Sequence, residues 1–592
     1  MVTFKIGISM AGAISAGAYT AGVLDFLTEA LDDWYKAKAN GDPVPMHEVS
    51  IEVFSGASAG GMCAAISAVM LQEDFEHIHD TNKRDTTNRF YESWVNKIDI
   101  RELLKTDDLR GEAELVSLLD SSIVQQIAAY ALTPGTATAP PRPYVSQNLT
   151  LFLSLTNLRG IPYCLNGAAP GSLEESTLFY GDRIRFQTVS SFKAASVAAN
   201  IHTLDLSTPG AAGGWDLLQT AAMATGAFPI FLAPRTLQRS GVEYVPPVWE
   251  SVVSAATGTP PPVAPVIPPE IASSFSTLNV DGGITNNDPF NYARDYLLSM
   301  APACPDAEHL RDPRTADRAV ISVAPFPTTE EFDPEFDAAQ NSGIFSVLSR
   351  LFSALISQSR FFGESLDQIM TGTTFGRFVI APSDPELAER YRVGESGPNT
   401  KLPAALQCAT LGAFGGFFER GFRAHDYALG RRNCQKFLQD YFVLPENNML
   451  IEAALKAMDP ATRDAVVRKF RRSPPGTYAE HGAALERAGH PLPEVQAAAS
   501  DVWMPIVPLC SKAVSTPLLD PVPRAQICKR SLNSIIKLIL SRHRTVMNVL
   551  LGDVSFWPLR VFLRIGQPVI RWLARRPLKN ALIRQLGDSY RG

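Results

Sequence analysis

Short strand-like runs and longer helix-like runs alternate over the first 70 residues. Residues 3–9 and 49–55 are short and apolar, and each run is followed by small residues and then by a run of helical period, at about 17–38 and 61–71. Strand, turn and helix repeated in this order are typical of a parallel α/β sheet. The pattern therefore predicts two strand–turn–helix units at the start of the chain.

Apolar runs further along the chain extend the predicted sheet, and a change of pattern marks its end. Four more buried strands are predicted at 151–155, 276–280, 319–323 and 377–380. Residues 246–274 are too rich in proline for a regular element, so they are predicted to form a surface insertion. Beyond about residue 445 the pattern is mainly helical, and we expect an α/β domain over 1–445 with a helical extension over 446–592.

The composition is that of a folded globular protein. Of its 592 residues, 45% are hydrophobic and 19% are charged, with a formal net charge of −6, which excludes a mainly disordered chain. The seven cysteines are widely spaced and none has a partner at a zinc-ligand spacing. We therefore expect neither a disulfide framework nor a metal site.

The uncharged run 6–24 is long enough to raise the question of a membrane span or a targeting signal. Glycine and alanine fill nine of its nineteen positions, which leaves little apolar surface to enter lipid. We therefore expect a strand, a glycine turn and a helix there. The expected location is the cytoplasm, with peripheral association with the inner face of a membrane as a further option.

Positive charge is concentrated at the C-terminal end of the sequence. From Arg524 onward there are fourteen lysines or arginines and two aspartates, and the apolar residues recur with a helical period. Two interpretations stay open: an amphipathic helix that binds an anionic membrane surface, or helices whose apolar face packs on the acidic remainder of the chain. Nucleic acid is not expected as a partner, because no nucleic-acid-binding motif accompanies the charge.

Candidate chemistry begins at the sequence Gly-Ala-Ser-Ala-Gly, in which Ser58 lies between Gly56 and Gly60. A serine at the tip of a sharp strand-to-helix turn is an exposed nucleophile, and small neighbours permit the close approach of strand and helix. The following helix points its free N–H groups at this position, where an oxyanion would form. The motif alone is common by chance, so its position between a predicted strand and a predicted helix carries most of the argument.

A hydroxyl of ordinary pKa needs a base, and Asp281 is a better candidate for that base than any histidine. Asp281 ends a predicted strand and is followed by Gly282 and Gly283, whereas no histidine after Ser58 follows an evident late strand.

A third element is the small-residue turn Gly-Ala-Ile-Ser-Ala-Gly at 12–17, after the first predicted strand. Successive backbone N–H groups in such a turn can hold an oxyanion.

A glycine-rich turn, G-x-S-x-G and D-G-[AG], in this order, are the signatures of the patatin-like phospholipases, which the chain resembles over about residues 3–440. Residues 224–229 (ATGAFP) are similar to the family's small-residue segment ahead of the acid, and 281–289 to its DGG-x-x-x-N-x-P pattern. Residues 421–438 also resemble a stretch that follows the sheet in larger bacterial members. The resemblance implies a three-layer α/β/α fold with a mostly parallel central sheet, followed here by a mainly helical C-terminal region.

The resemblance also implies a Ser–Asp dyad, with Ser58 as the nucleophile and Asp281 as its base. The backbone N–H groups that would form the oxyanion hole are those of Gly12, Ala13, Ile14, Ser15, Ala16, Gly17 and Ala59. The turn departs from the usual family sequence G-G-G-x-R-G, because Ala16 stands where arginine is usual and Ala13 and Ile14 replace glycines. Backbone donors need no particular side chain, so a hole is still expected although the motif does not determine its geometry.

We therefore expect a serine hydrolase that cleaves acyl esters of membrane lipids through an acyl-enzyme, without a metal ion or another cofactor. The Pro-rich insertion at 246–274 is expected to border the acyl pocket as a lid. Two alternatives stay open: an α/β-hydrolase with a Ser-His-Asp triad, and a non-catalytic, membrane-associated scaffold on a decayed hydrolase fold.

Overall fold

Alternating apolar side chains along the strands build a sheet that is covered on both faces. In the third strand, Leu151 and Leu153 point into one hydrophobic cluster, whereas Phe152 between them points into a second. Side chains of successive strand residues point to opposite faces of a sheet, so the two clusters lie on opposite sides of it. Each strand of this kind needs helices on both of its faces.

The structure is a computed structural model. It describes residues 3–110, 114–135, 142–165, 175–189, 198–208, 213–245, 265–302, 312–326, 377–384, 405–472, 502–518, 522–552 and 575–591, together with residues 338, 343, 347 and 354. Its strands are β1 Thr3–Met10, β2 Glu48–Gly56, β3 Val145–Leu165, β4 Glu175–Val189, β5 His202–Asp205, β6 Arg235–Arg239, β7 Phe275–Asp281, β8 Arg318–Val323, β9 Arg377–Ile380, β10 Val443–Pro445, β11 Trp503–Pro505, β12 Ile527–Cys528 and β13 Tyr590–Arg591.

Helices precede and follow these strands throughout the described part of the chain. They are α1 Gly17–Ala39, α2 Ala59–Met70, α3 Arg89–Tyr91, α4 Ile100–Leu103, α5 Ser122–Ala131, α6 Trp215–Thr225, α7 Phe290–Ser299, α8 Gly415–Phe418, α9 Arg420–Asp440, α10 Met449–Lys456, α11 Pro460–Phe470, α12 Lys512–Ser515 and α13 Lys529–Gly552. A π-helix, Glu92–Lys97, and short 3₁₀ turns at Ile14–Ala16 and Gly282–Ile284 flank the region of the candidate site.

Among the described residues, the main sheet has nine strands. Its order is β5-β4-β3-β2-β1-β8-β9, with β7 paired to residues 155–157 of β3 and β6 paired to β7. Strands β9, β8, β1, β2 and β3 run parallel to one another, whereas β4 and β7 run antiparallel to β3. The fold is therefore mixed α/β with a mostly parallel central sheet, which confirms the predicted fold class.

Helices cover both faces of this sheet, which gives the three-layer arrangement. Helices α1, α2, α6 and α9 contribute buried residues to the larger cluster, and α7 contributes Phe290 and Leu297 to the smaller cluster on the other face. Helices α1 and α9 approach closely, because a Cβ on Gly22 would lie 2.0 Å from the carbonyl oxygen of Tyr427. A Cβ on Gly430 would likewise lie 2.2 Å from the carbonyl oxygen of Tyr19. The close packing holds the start of α1, and with it the turn before α1, against a helix about 400 residues away in the sequence.

The sequence pattern underestimated the sheet in two respects. Strands β4, β5 and β6 were not predicted, and β3 extends over residues 145–165 rather than the predicted 151–155. Strand β7 was predicted correctly in position, but it is antiparallel to β3. Sequence patterning finds an apolar strand without its direction, because direction depends on which neighbour the strand pairs with.

The described part of the basic tail packs on the body of the protein. Leu532, Ile535 and Ile536 of α13 are buried in the larger cluster, and buried Arg542 forms an ion pair with Asp108. The apolar face of α13 is thus turned inward, as in the second of the two interpretations of the tail. Residues 553–574, which carry further aromatic residues of the tail, lie outside the described residues. The predicted division of the chain at about residue 445 stays a prediction.

The uncharged run 6–24 forms most of strand β1, the 3₁₀ turn Ile14–Ala16 and the first part of α1. This is the strand, turn and helix that its glycine and alanine content predicted. In the part of the chain that the structure describes, no helix is both long enough and apolar enough to cross a membrane.

Candidate active site

Ser58 lies in a sharp turn between strand β2 and helix α2. Its backbone has φ +51° and ψ −126°, in a region that residues with a side chain rarely adopt. A Cβ on Gly56 would lie 2.5 Å from the backbone of Gly60, and a Cβ on Gly60 would lie 2.2 Å from the carbonyl oxygen of Met10. Both glycines are therefore required by backbone contacts, as the motif predicted.

Thr225, the last residue of α6, supports this turn from outside the motif. The N–H group of Ser58 donates a hydrogen bond to Thr225 Oγ1 at 3.0 Å, and Thr225 Oγ1 donates to the carbonyl oxygen of Ser154 at 2.7 Å. All three residues are buried, so loss of this hydroxyl would leave the N–H of Ser58 without an acceptor. Sequence reasoning noted the segment 224–229 but assigned no role to Thr225.

Asp281 lies at the end of β7 and meets Ser58 directly. The hydroxyl of Ser58 donates a hydrogen bond to Asp281 Oδ2 at 2.6 Å, although the two residues are 223 positions apart in the chain. The N–H group of Gly283 donates to Asp281 Oδ1 at 2.7 Å, and the N–H of Asp281 itself donates to the carbonyl oxygen of Ala227. A Cβ on Gly282 would lie 2.0 Å from the carbonyl oxygen of Ser154, so this position also requires glycine.

The environment of Asp281 changes its acidity. Burial raises the pKa of the carboxyl to about 6, and the hydrogen bonds from Ser58 and Gly283 offset part of this rise. At neutral pH the group is therefore mainly a carboxylate, with a much higher proton affinity than an exposed aspartate. A carboxylate with a raised pKa in contact with a serine hydroxyl can accept the proton of that hydroxyl.

Asn287 connects the turn at 12–17 to the segment after Asp281. The N–H of Gly12 donates to the backbone carbonyl of Asn287 at 3.1 Å. A Cβ on Gly12 would lie 2.3 Å from Asn287 Oδ1 and 3.0 Å from the Cβ of Ser58. Because Gly12 has no side chain, the first strand ends in direct contact with the Ser58 turn and with the segment that follows Asp281.

A second contact to the turn at 12–17 comes from a loop far along the chain. The N–H and the hydroxyl of Ser15 both donate to the carbonyl oxygen of Ala413, at 3.2 and 2.5 Å, and the N–H of Gly416 donates to Ser15 Oγ at 3.1 Å. Leu411, Gly412 and Ala413 all have positive φ, between +57° and +72°. We call residues 409–417 the clamp loop; no sequence motif pointed to it.

The clamp loop is in turn held by helix α9. Arg423 is buried and donates from one Nη to the carbonyl oxygen of Gly416 at 2.6 Å, while its Nε and other Nη bond the carbonyl oxygen of Val95. The carboxylate of Asp426 accepts the N–H groups of residues 407–408 at 2.8 and 2.9 Å. Helix α9 therefore connects the clamp loop to the π-helix that carries Val95.

The predicted oxyanion-hole residues fall into two groups. In the first group, the N–H groups of Gly12, Ser15 and Ala16 donate hydrogen bonds to backbone carbonyl oxygens within the fold. The N–H groups of Ala13, Ile14 and Ala59 have no acceptor among the described residues, and Gly17 begins helix α1. Ile14, with φ +48°, and Ala59 both line the cavity that contains Ser58.

That cavity is mainly apolar, and besides Ser58 and Asp281 its lining includes the polar residue Ser93. It has a volume of about 100 Å³ and is lined by residues of α2, the π-helix, α5, α6 and the clamp loop. The apolar lining includes Met62, Ile66, Trp94, Leu103, Leu132 and Phe228. Ser58 and Asp281 lie in its wall, so an aliphatic chain in this cavity would place an attached ester at the hydroxyl of Ser58.

The described part of the Pro-rich insertion lies away from this cavity. Residues 265–274 do not line it, and the N–H of Val266 bonds the carbonyl oxygen of Pro162 on β3. Residues 246–264 lie outside the described residues, so the predicted lid stays a prediction.

No described histidine lines the cavity or bonds Ser58. His77 bonds Asp25, His202 bonds Glu243 and His425 bonds Asp426, each within 2.9 Å. The histidines outside the described residues are His309, His481 and His490. Within the described part of the chain, the hydroxyl of Ser58 therefore bonds the carboxylate of Asp281 and no histidine.

Comparison with known proteins places this geometry in context. The family model described as patatin-like phospholipase matches residues 8–294, the segment from β1 to α7. An uncharacterized protein of Sinorhizobium fredii, y4iI, is 35% identical over 530 residues, which cover 83% of this chain and 72% of that protein. The similarity to this relative thus extends well beyond residue 294, whereas the family match ends before the clamp loop.

Proposed function

The chain belongs to the patatin-like phospholipase family, and on that basis we propose that it is a serine acyl hydrolase that cleaves acyl esters of membrane lipids. The proposal assigns the nucleophile to Ser58 and the general base to Asp281. The observation that carries it is the 2.6 Å hydrogen bond between these side chains in the wall of an apolar cavity.

Acylation follows from this geometry. Ser58 Oγ attacks the ester carbonyl carbon as its proton passes to Asp281 Oδ2, and the carbonyl oxygen becomes an oxyanion. The tetrahedral intermediate collapses when its alcohol leaves with a proton from Asp281, and the acyl group stays on Ser58. The raised pKa of Asp281 suits it to both proton transfers near neutral pH.

Deacylation reverses these roles with water in place of the alcohol. Asp281 removes a proton from water, the resulting hydroxide attacks the acyl carbonyl, and the proton returns to Ser58 Oγ as the fatty acid leaves. We assign the oxyanion hole to the N–H groups of Ala13, Ile14 and Ala59, because these predicted donors have no acceptor among the residues that the structure describes. Ala59 also begins α2, whose positive N-terminal end faces the same place.

The substrate class follows from the cavity. Its mainly apolar lining accepts an aliphatic chain, and Ser58 and Asp281 lie together in its wall, where the ester would be cleaved. A fatty acyl ester of a membrane lipid meets both requirements. Helix α13 carries exposed cations, among them Lys537 and Arg544, which can contact an anionic bilayer in addition to the contact between the lipid chain and the cavity. Charge reversal at these two positions would test this contact, because it leaves the buried face of α13 unchanged.

An active-site-directed fluorophosphonate tests the assignment of Ser58 and Asp281. We expect covalent labelling of the purified full-length protein at Ser58, no labelling of Ser58→Ala, and at least a roughly thousandfold loss of ester turnover in Asp281→Asn. Ser67→Ala is the matched control, because Ser67 is also a buried serine of the same strand–helix unit, and its hydroxyl bonds only the carbonyl oxygen of Cys63.

The alternatives predict different outcomes of this experiment. An unlabelled wild-type protein would favour a non-catalytic scaffold. Labelling together with an active Asp281→Asn would favour a triad with a histidine outside the described residues. Either result would overturn the dyad.

A further inference from the structure

Large apolar side chains are exposed beside the cavity rather than buried. Val116 is 61% exposed, Ile230 is 71% exposed and Phe231 is 36% exposed. We call these three residues the apolar rim. They come from two segments, one before α5 and one after α6, that are far apart in the sequence.

Backbone hydrogen bonds hold these two segments side by side. The N–H of Leu118 donates to the carbonyl oxygen of Ile230 at 2.8 Å, and the N–H of Leu119 donates to that of Phe231 at 3.0 Å. Leu119 and Leu232 line the cavity, so the same two segments carry both exposed apolar residues and residues of the cavity wall.

The rim is also continuous with the cavity through aromatic contacts. The ring of Phe231 lies 5.3 Å from the ring of Phe414 and 5.8 Å from that of Phe228, measured between centroids. Phe228 and Phe414 both line the cavity. Aromatic contacts therefore connect Phe231 of the exposed rim to the cavity that contains Ser58.

The most exposed residue of the rim has a strained backbone. Ile230 has φ +71°, which is an outlier for a β-branched residue. Folding alone gains little from an isoleucine here, because its side chain is mostly in water and an asparagine would adopt this backbone at lower cost. Strain of this kind is concentrated at functional sites.

We propose that the apolar rim inserts into the surface of a phospholipid bilayer and brings the cavity mouth against the lipid. The inference rests on the proposed function, because it supplies the route by which a membrane acyl chain reaches Ser58. A chain that left the bilayer through water would expose every methylene on the way, at a cost in free energy that a continuous apolar path avoids.

Positive charge close to the rim favours an anionic bilayer as the occupant. Arg542 bonds the carbonyl oxygens of Ser117 and Leu118, one and two residues after Val116, and neutralises Asp108. The next basic residue of α13, Arg544, is exposed. Helix α13 thus passes beside the rim, and the exposed Arg544, two residues after Arg542, supplies a cation that can contact anionic headgroups as the rim enters the bilayer.

Vesicle binding by the full chain tests the proposal independently of turnover, if all variants carry Ser58→Ala. The probe is a vesicle of phosphatidylcholine with phosphatidylglycerol, with pure phosphatidylcholine vesicles as the second arm. We expect Ile230→Asn to weaken binding about tenfold or more without lowering the melting temperature, because asparagine tolerates positive φ. Leu298→Asn is the matched control, since Leu298 is an exposed leucine on α7, across the sheet from the cavity, and should leave binding unchanged.

A second variant locates the contact directly. In Ile230→Trp, the added indole should shift its emission to the blue on vesicle addition and should be quenched by brominated lipid chains. Wild-type binding by Ile230→Asn, or an Ile230→Trp emission unchanged by vesicles, would overturn the proposal. Loss of self-association in Ile230→Asn with unchanged vesicle binding would instead assign the rim to contact with a second copy of the chain.

Failure of the rim and failure of the proposed hydrolase are distinguishable. Vesicle binding in the Ser58→Ala background does not depend on catalysis, and fluorophosphonate labelling of Ser58 does not depend on vesicles. Labelling at Ser58 with vesicle binding unaffected by Ile230→Asn would overturn the rim alone.

Discussion

The two turns that meet at the candidate site are alike in position but differ in what holds them. One, at residues 12–17, follows β1, and the other, at Gly56–Gly60, follows β2, whose last residue is paired with the last residue of β1. Each turn contains a residue with a side chain at positive φ, Ile14 at +48° and Ser58 at +51°. Each leads into a helix whose N-terminus lies beside the cavity.

The Ser58 turn is determined mainly by its own glycines, which touch the backbone of the adjoining strand and helix. The turn at 12–17 is held instead by the backbone carbonyls of Asn287 and Ala413 and by the backbone N–H of Gly416, which donates to the hydroxyl of Ser15. The comparison teaches that the glycines of a short motif account for most of the nucleophile turn, with Thr225 as an added support, whereas the neighbouring turn, which lacks the usual glycines, relies mainly on distant contacts.

The largest expected effect comes from adding one methyl group to a glycine in each turn and comparing the two losses of stability. Gly60→Ala should lower the free energy of unfolding by about 3 kcal/mol or more, because its Cβ would meet the backbone oxygen of Met10. Gly12→Ala should cost only about 1 kcal/mol, because the nearest obstacle is the side chain of Asn287, which can move. Chemical denaturation measures both variants; equal losses would contradict the comparison, and Asn287→Ala should recover most of the Gly12→Ala loss.

The pH dependence of stability tests the Ser58 turn alone, since the turn at 12–17 is bonded to amide, hydroxyl and carbonyl groups. The pKa of Asp281 is raised by burial to about 6, above the value of about 3.9 in an unfolded chain. The folded protein therefore holds a proton that the unfolded chain releases, and about 3 kcal/mol of stability is lost as pH rises from about 4 through 6.

Ester turnover should rise over the upper part of the same interval, as Asp281 becomes a carboxylate that can act as a base. Denaturation midpoints and kcat/KM measured between pH 4 and 8 check both directions. Asp281→Asn should remove this component of the stability profile and should be more stable than wild type at pH 7. An unchanged slope in that variant would mean that other groups titrate.

Removal of the Thr225 hydroxyl, which accepts a hydrogen bond from the N–H of Ser58, should have a smaller effect, on kcat. Thr225→Val keeps the shape of the side chain but leaves the N–H of Ser58 without its acceptor, so we expect kcat to fall about 10- to 100-fold. Thr225→Ser should restore most of the loss, because it restores the hydroxyl. Steady-state kinetics on a dissolved short-chain ester measures both, and a Thr225→Val enzyme of wild-type kcat would contradict the assigned role.

The smallest effect is expected at the clamp loop. Ser15→Ala removes a hydroxyl that bonds both Ala413 and Gly416 but keeps the bond from the Ser15 N–H, so we expect kcat to fall about fivefold with KM unchanged. A selective loss of kcat is the mark of a displaced oxyanion hole rather than of weaker substrate binding. Ser67→Ala should leave both kcat and KM unchanged. An equal loss of kcat in that control would mean that the Ser15→Ala loss reflects lower overall stability rather than a displaced oxyanion hole.

Much of the site was predictable from the sequence because it depends on local rules. The periods of apolar residues placed β1, β2, α1 and α2, and close backbone contact explains why glycines flank Ser58 and follow Asp281. These features depend on a few neighbouring residues and on backbone geometry that is the same in every protein. The position of Asp281 at the end of a predicted strand already pointed to it as the base for Ser58, and the family resemblance implied the same pairing; the contact between the two side chains is present in the structure.

Tertiary structure alone decided how distant segments combine. The antiparallel direction of β7, the support of Ser58 by Thr225 and the position of the clamp loop all join residues far apart in the chain. The inward packing of α13 and the exposure of the apolar rim likewise depend on which surfaces the rest of the chain covers. Local patterns record period and turn geometry, but a contact between distant segments is set by the packing of the whole core, so no short stretch of sequence contains it.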